Sequence, residues 1–325
     1  MKVFVYEFVT GGGCAGTPLP PFLADGELMW RALLDDLIAI PGVEAITLRD
    51  ERLARPRLAG ARIVATRAST FAADFRACLE DADAVWSVAP ESGGILEAIA
   101  TEVLAAGKRL LGSRPGGVRV AASKTATARR LAEYGVAAIP CYTSPHFMEE
   151  ECAVVMKPDD GAGCQDTLLF ASVAKAQAWS RQHATGGCIF QPYVAGDALS
   201  LSLLCADGQA QLLSVNRQVV EARDGRFGFH GVTVNALADL DGRFADLASQ
   251  VAAAIPELWG YVGIDLIAGT AAPPIVVEVN PRPTVSYAGL RAALDCNPAQ
   301  RLLDLPAFTP CQGRRAVHLE TDHAH

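Results

Sequence analysis

The stretch Val276-Val277-Glu278-Val279-Asn280-Pro281-Arg282-Pro283, taken with Val262-Gly263-Ile264-Asp265-Leu266, decides the reading of this 325-residue chain. In each segment apolar residues surround a single acid. Side chains on a strand alternate faces, so Glu278 and Asn280 point to the same side. If the two strands pair, Asp265 lies beside them. Two carboxylates and an amide oxygen on one patch form a hard oxygen site, suited to one or two Mg²⁺ ions, with Mn²⁺ as an alternative. Arg282, two residues further on, is placed to clamp a phosphoryl or carboxylate group. The plainer reading is the polar face of an exposed hairpin. Pro281 and Pro283 argue against it, because they fix an unusual exit from the strand.

Upstream, Val155-Met156-Lys157-Pro158-Asp159-Asp160-Gly161-Ala162-Gly163-Cys164-Gln165-Asp166 runs an apolar strand into a lysine and a glycine loop. Glycines such as Gly161 and Gly163 let backbone amides approach phosphate oxygens, and Lys157 adds a compact positive charge. The lysine precedes the glycines, so this is not a P-loop. A plain hairpin turn fits the stretch equally well. A third segment, Phe190-Gln191-Pro192-Tyr193-Val194-Ala195-Gly196-Asp197, carries an apolar strand into a turn. Such a hinge can offer an apolar wall and backbone groups to an adenine ring, with Asp197 near the ribose; an ordinary strand end is the alternative. Lys124, in Ala122-Ser123-Lys124-Thr125, is a further candidate cation or a solvated helix residue. Gly11-Gly12-Gly13-Cys14-Ala15-Gly16 formally matches Gly-x-Gly-x-x-Gly and raises a nicotinamide oxidoreductase as an alternative. Thr17-Pro18-Leu19-Pro20-Pro21 follows where a helix should begin, so Gly12 and Gly13 are read instead as a substrate-facing loop.

The first third alternates strand-like and helical runs. Residues 2–9, 45–48, 62–65 and 84–88 read as strands, and 27–40 and 95–106 as helices. This alternation predicts a Rossmann-like parallel sheet covered on both faces, over residues 1–113. Beyond it, residues 123–134 read as a helix ended by Gly135. Strand-like pieces follow at 153–157, 188–194, 199–205, 211–216, 262–267 and 274–279. With little helix between them they predict antiparallel hairpins. The expected divisions are 114–195, 196–310 and a tail at 311–325.

Half of the residues are hydrophobic and 20% are charged, so a large core is expected. A net charge of -8 without a basic run argues against nucleic acid and anionic membrane as partners. No apolar stretch is long enough to span a bilayer. The nine cysteines include no Cys-x-x-Cys, and their spacings fit no disulfide framework. Reduced thiols in a cytoplasmic protein are expected, with a homodimer as the default assembly.

In order, Lys124, then Met156-Lys157-Pro158 with its glycine loop, then Gln191-Pro192-Tyr193-Val194, Asp265 and Glu278-Val279-Asn280-Pro281-Arg282 resemble the ATP-grasp superfamily. The likeness covers residues 113–295, and the first domain is similar to the α/β domain that precedes the grasp. The resemblance implies ATP held between two α+β lobes. It implies Lys124 and Lys157 on the phosphates, Gln191, Tyr193 and Val194 against adenine, and Asp265, Glu278 and Asn280 on Mg²⁺. Arg282 would act on the transferring phosphoryl group or the acyl intermediate. Asn216, Arg217, Gln218 and Tyr287 are candidate substrate contacts. Within the superfamily, Val3-Phe4-Val5-Tyr6-Glu7-Phe8-Val9-Thr10-Gly11-Gly12-Gly13 and Asn280-Pro281-Arg282-Pro283-Thr284-Val285-Ser286-Tyr287 resemble the tyramine–glutamate ligases of methanofuran biosynthesis. That resemblance implies a carboxylate–amine ligase joining glutamate to tyramine or tyrosine through an acyl-phosphate. A ligase for another amino-acid pair and a non-catalytic ATP sensor are the other readings.

Overall fold

The computed structural model describes residues 1–161, 166–269 and 273–321. Its first layer is a five-stranded parallel sheet in the order β3-β2-β1-β4-β5. The strands are β1 (Lys2–Glu7), β2 (Glu44–Asp50), β3 (Ala61–Thr66), β4 (Ala84–Val88) and β5 (Arg109–Leu110). Helices α1 (Leu23–Ile38), α2 (Phe71–Asp81) and α3 (Ile95–Ala105) connect them. The alternation of β1 builds both cores. Val3 and Val5 pack with Trp30, Leu33, Leu34 and Leu37 of α1. Phe4 and Tyr6 pack on the opposite face with Phe75 and Leu79 of α2 and with Ile99 and Val103 of α3. A parallel sheet buried on both faces needs such continuous apolar strands. Helix α1 starts at Leu23, four residues before the expected start, and α2 lies where the sequence reading placed no element.

Helices α4 (Pro115–Ala122) and α5 (Lys124–Glu133) lead into the second unit. Ser123 caps α5 by accepting from the Ala126 N–H at 3.0 Å. Gly135 ends it at φ 72, a left-handed conformation that favours glycine.

An antiparallel second sheet of nine strands follows. Its small lobe holds β6 (Val154–Pro158), β7 (Leu168–Phe170), α6 (Val173–Ser180) and β8 (Cys188–Pro192). Its large lobe holds β9 (Asp197–Ala206), β10 (Gln209–Arg223), β11 (Arg226–Leu237), α7 (Arg243–Ala254), β12 (Gly260–Ala268) and β13 (Ile275–Asn280). The antiparallel hairpins expected from the sequence are present, but the twelve residues of α7 lie between two of them. Phe244, Leu247, Ala248, Val251 and Ala252 give α7 a buried stripe at helical spacing. One residue pair, Arg226 with Leu168, joins β11 to β7.

Helices α8 (Tyr287–Ala293) and α9 (Pro298–Leu303) return the chain to the first domain, and β14 (Val317–Glu320) pairs with β11. The stretch read as a tail is therefore partly sheet. Gly231, at φ 148, sits where a Cβ would collide with the Leu319 carbonyl, so only glycine lets β14 come this close. The expectation of reduced thiols is also corrected. Cys296 and Cys311 form a disulfide, with Cα atoms 5.9 Å apart, because the chain after α9 doubles back along the turn after α8.

The junction of the two units corrects a site assignment. Tyr287, read as a substrate contact, is 1% exposed and lies in the core. Its ring meets Trp86 and Tyr261 edge-on, each at 5.4 Å. Its hydroxyl donates to Asp36 Oδ2 at 2.8 Å, and Arg291 donates to Asp36 Oδ1 at 3.1 Å. Removing the Tyr287 hydroxyl should leave a buried carboxylate short of a donor. Tyr287→Phe is expected to lower unfolding stability by about 2 kcal/mol, measured by urea denaturation; an unchanged midpoint would show that the junction does not depend on this bond.

Candidate active site

The acids come together through strand register. Asp265 on β12 and Glu278 on β13 are cross-strand partners, with a register shift just after Asp265. Asn280, on the same face as Glu278, donates from Nδ2 to Asp265 Oδ2 at 3.3 Å. Gln218 on β10 donates to Asp265 Oδ1 at 3.0 Å. Gln218 was read as a substrate contact, and it joins the acid cluster from below.

The lysines reach this cluster from different elements. Lys124 opens α5 and Lys157 lies near the end of β6; they are 6% and 9% exposed. Asp159 fixes α5 against the end of β6. Its carboxylate accepts from the Thr125 N–H and hydroxyl, both at 2.8 Å, and from the Ser123 hydroxyl at 2.5 Å. The Lys124 ammonium then lies 3.2 Å from Glu278 Oε2 and donates to the Gly161 carbonyl at 2.6 Å. Gly161 therefore stands at the base of the glycine loop, beside the acids. Gly163 lies outside the described residues.

The charge balance of the cluster is set by these contacts. Burial acts to raise the Glu278 carboxyl, but the charges of Lys124 and Lys157 outweigh it and lower it to about 2. Burial, followed by the charge of Glu278, pushes Asp265 well above the usual carboxylate range. Two adjacent carboxylates resist joint ionisation unless enough positive charge is present.

Arg282 leaves β13 and turns toward the first domain. Its Nη2 meets Glu91 Oε2 at 3.0 Å and its Nη1 donates to the Pro283 carbonyl at 3.2 Å, while Nε is buried without a partner among the described residues. Glu91, in the loop after β4, went unnoticed in the sequence, as did Asp159. Asp159 at least stands inside the quoted lysine–glycine stretch, whereas Glu91 has no motif of its own. Glu91, Lys124, Asp160, Gly161, Glu278 and Asn280 line one cavity.

Other candidates lie elsewhere. Asn216 is fully buried within the sheet. Its side chain accepts from the Ser214 hydroxyl and the Asn235 N–H and donates to the Ser202 hydroxyl. All of its hydrogen-bonding capacity toward neighbours serves the strands, which corrects its reading as a substrate contact. Arg217 and Asp197 pair with each other at 3.0 Å on the surface. Gln191 is buried and donates to the Ile139 carbonyl at 3.4 Å and to Cys141 Sγ at 3.2 Å, so its side chain braces the hinge. Tyr193 is exposed and stacks near Phe227 at 6.4 Å between ring centroids; Val194 follows it, partly buried. Gly12 packs against Thr66 and Phe71, and Gly13 against Phe8. The helix after this glycine loop begins only at Leu23, so the loop does not feed directly into a helix N-terminus as a dinucleotide site requires.

Residues 121–286 match the ATP-grasp domain, and residues 43–118 match the pre ATP-grasp 3 domain. The chain belongs to the ATP-grasp family. Among its relatives is the tyramine–L-glutamate ligase of Methanocaldococcus fervens, 25% identical over 275 residues, which span 83% of each chain. An ATP-grasp superfamily protein from Archaeoglobus fulgidus has a similar fold, with a TM-score of 0.74 at 19% identity, covering 99% of this chain and 100% of that one. The L-amino acid ligase of Bacillus licheniformis aligns with a TM-score of 0.66 at 14% identity, over 93% of this chain and 73% of that one. The two units of this ATP-grasp chain thus share their architecture with proteins of low sequence identity. Among the described residues, no helix is long and apolar enough to cross a membrane.

The Lys124–Glu278 contact carries a direct expectation for this ATP-grasp cluster. Lys124→Met should move the Glu278 titration upward from about 2, followed by side-chain carbon NMR. The ionised form would then be lost at a higher pH as the solution is acidified. An unmoved titration would assign the whole effect to Lys157.

Proposed function

We propose that this ATP-grasp ligase joins glutamate to tyramine or tyrosine through an acyl-phosphate, as a cytoplasmic step of methanofuran-type cofactor biosynthesis. The observation that carries the reading is the convergence of Lys124 and Lys157, from separate elements, on the Asp265–Glu278 pair. The relative named as a tyramine–L-glutamate ligase supplies the substrate classes.

A carboxylate resists amine attack because its oxygen is a poor leaving group. Transfer of a phosphoryl group from ATP makes an acyl-phosphate, whose phosphate departs readily. The protein's task is then to position the reactants and neutralise charge. Lys124 and Lys157 bind phosphate oxygens and offset their repulsion with the substrate carboxylate. The Nε of Arg282, without a partner among the described residues, offers a donor to the acyl intermediate. Residues 191–194 wall the adenine. Gln191 is engaged with the hinge, so neighbouring backbone groups read the base.

The donor set fits Mg²⁺. Asp265 and Glu278 stand opposite each other with Asn280 beside them, and two adjacent carboxylates with an amide favour a hard divalent cation. Asp265, Glu278 and Asn280 would hold Mg²⁺ there, and the ion would supply positive charge against the phosphate oxygens.

Purified enzyme with ATP, Mg²⁺, glutamate and tyramine should release ADP and a glutamyl amide, detected by mass spectrometry. Release only with other acid and amine pairs would replace the substrates and keep the ligase. Glu278→Gln should cut ADP release about 10³-fold. Wild-type turnover in that variant would remove Glu278 from the metal site. Lys157→Ala should raise the ATP dissociation constant about tenfold to a hundredfold, read by calorimetry. Undiminished affinity would place the phosphates away from β6.

A further inference from the structure

The amine needs a partner of its own. It reaches the enzyme as an ammonium ion and must lose a proton before its nitrogen can attack. The carboxylates around the shared cavity differ in how far they are already engaged. Glu278 is paired with Lys124 at 3.2 Å. Asp265 accepts from both Gln218 and Asn280. Asp160 is exposed to water and accepts the Gly93 N–H at 3.2 Å. Glu91 is 6% exposed, with Oε2 on Arg282 and Oε1 buried without a partner among the described residues. A buried carboxylate oxygen with no donor is costly, and native structures rarely retain one without a use.

The position of Glu91 supports a ligand role. It follows β4, beside β1, where the strand order reverses; ligands of open α/β sheets bind beyond the strand ends at such a point. The same loop is tied to the glycine-loop base through Gly93 and Asp160. The residue that holds Glu91 also carries a donor without a partner among the described residues, the Nε of Arg282. An unmatched acceptor and an unmatched donor on two paired residues suit a reacting pair made of one cation and one anion. Because Arg282 already supplies a full positive charge, the vacant oxygen suits a monovalent ammonium better than a divalent metal.

We propose that Glu91 is the catalytic residue that binds the amine substrate's ammonium through Oε1 and takes its proton. This rests on the ligase reading above. Glu91 removes one N–H proton and becomes a carboxylic acid. The freed lone pair forms the C–N bond to the acyl carbon, and the C–O bond to phosphate breaks with its electron pair on the phosphate. A second N–H proton leaves with the phosphate, which gives a neutral amide. Arg282 holds the carboxylate in place and donates to the acyl oxygen.

Hydroxylamine tests this, because at neutral pH it is already uncharged and needs no base. With ATP and glutamate, the unsubstituted enzyme should make glutamyl hydroxamate from hydroxylamine and glutamyl tyramide from tyramine. Glu91→Gln keeps an oxygen for Arg282 but cannot take a proton. It should lose amide synthesis about 10²-fold or more while hydroxamate synthesis stays within about threefold. The persisting hydroxamate also shows that the variant is folded. If Glu91→Gln does not fold, Glu91→Asn, which likewise cannot take a proton, carries the same comparison, with the same unequal loss expected. Equal loss of both products would overturn the proposal, since Glu91 would then act only by holding Arg282. Unimpaired amide synthesis would overturn it as well. An unsubstituted enzyme that makes no hydroxamate from glutamate would instead overturn the glutamate reading, and this assignment with it.

Discussion

Burying two carboxylates side by side is the constraint around which the grasp domain is organised. Register places Asp265 opposite Glu278, and desolvation opposes ionisation of both. Neither charge could be sustained there without cations held equally firmly. Lys124 is held by the capped start of α5 and by Asp159, while Lys157 is delivered by β6. The helix start, the strand end and the acid hairpin therefore form one electrostatic unit. Asp159 matters here although it points away from the acids: it ties together the two elements that carry the positive charges.

The parallel-sheet domain contributes through a single side chain. Glu91 reaches across the domain boundary to Arg282, while Tyr287 and Asp36 lock the same boundary deeper in the core. A rigid junction is what lets a loop of the first domain hold a carboxylate at a fixed place in a cleft built by the second. Proximity catalysis depends on that kind of precision.

The legible parts of the sequence were those in which local pattern and chemistry coincide. Val262 to Leu266 and Val276 to Asn280 alternate as strands should, and each places its acid inward. Strand β11 was hidden because Gly228, His230 and Gly231 interrupt the apolar alternation; its need for glycine comes from β14, more than eighty residues later. Helix α7 carried a plain helical stripe and was passed over between stronger strand signals. Asn216 and Tyr287 were misread because residue type says nothing about which face of a sheet or junction a polar group serves. Glu91 could not be found locally, since the partner that gives it meaning lies 191 residues away. The Cys296–Cys311 bond was equally invisible, because it depends on a chain reversal and not on a motif.

The sparse pairing of β7 with β11 leaves the small lobe largely self-contained. Met148, Val154, Met156, Val173, Ala176 and Phe190 give the small lobe a core of its own, separate from the one beneath β9 and β12. The two bodies keep private cores, and Asp159 at the end of β6 ties the small lobe to the start of α5. Lys157 rides on one body, and Lys124, whose helix buries Leu131 in the other core, rides on its neighbour. The Asp159 carboxylate therefore spaces both cations against Glu278 while the two interiors stay independent.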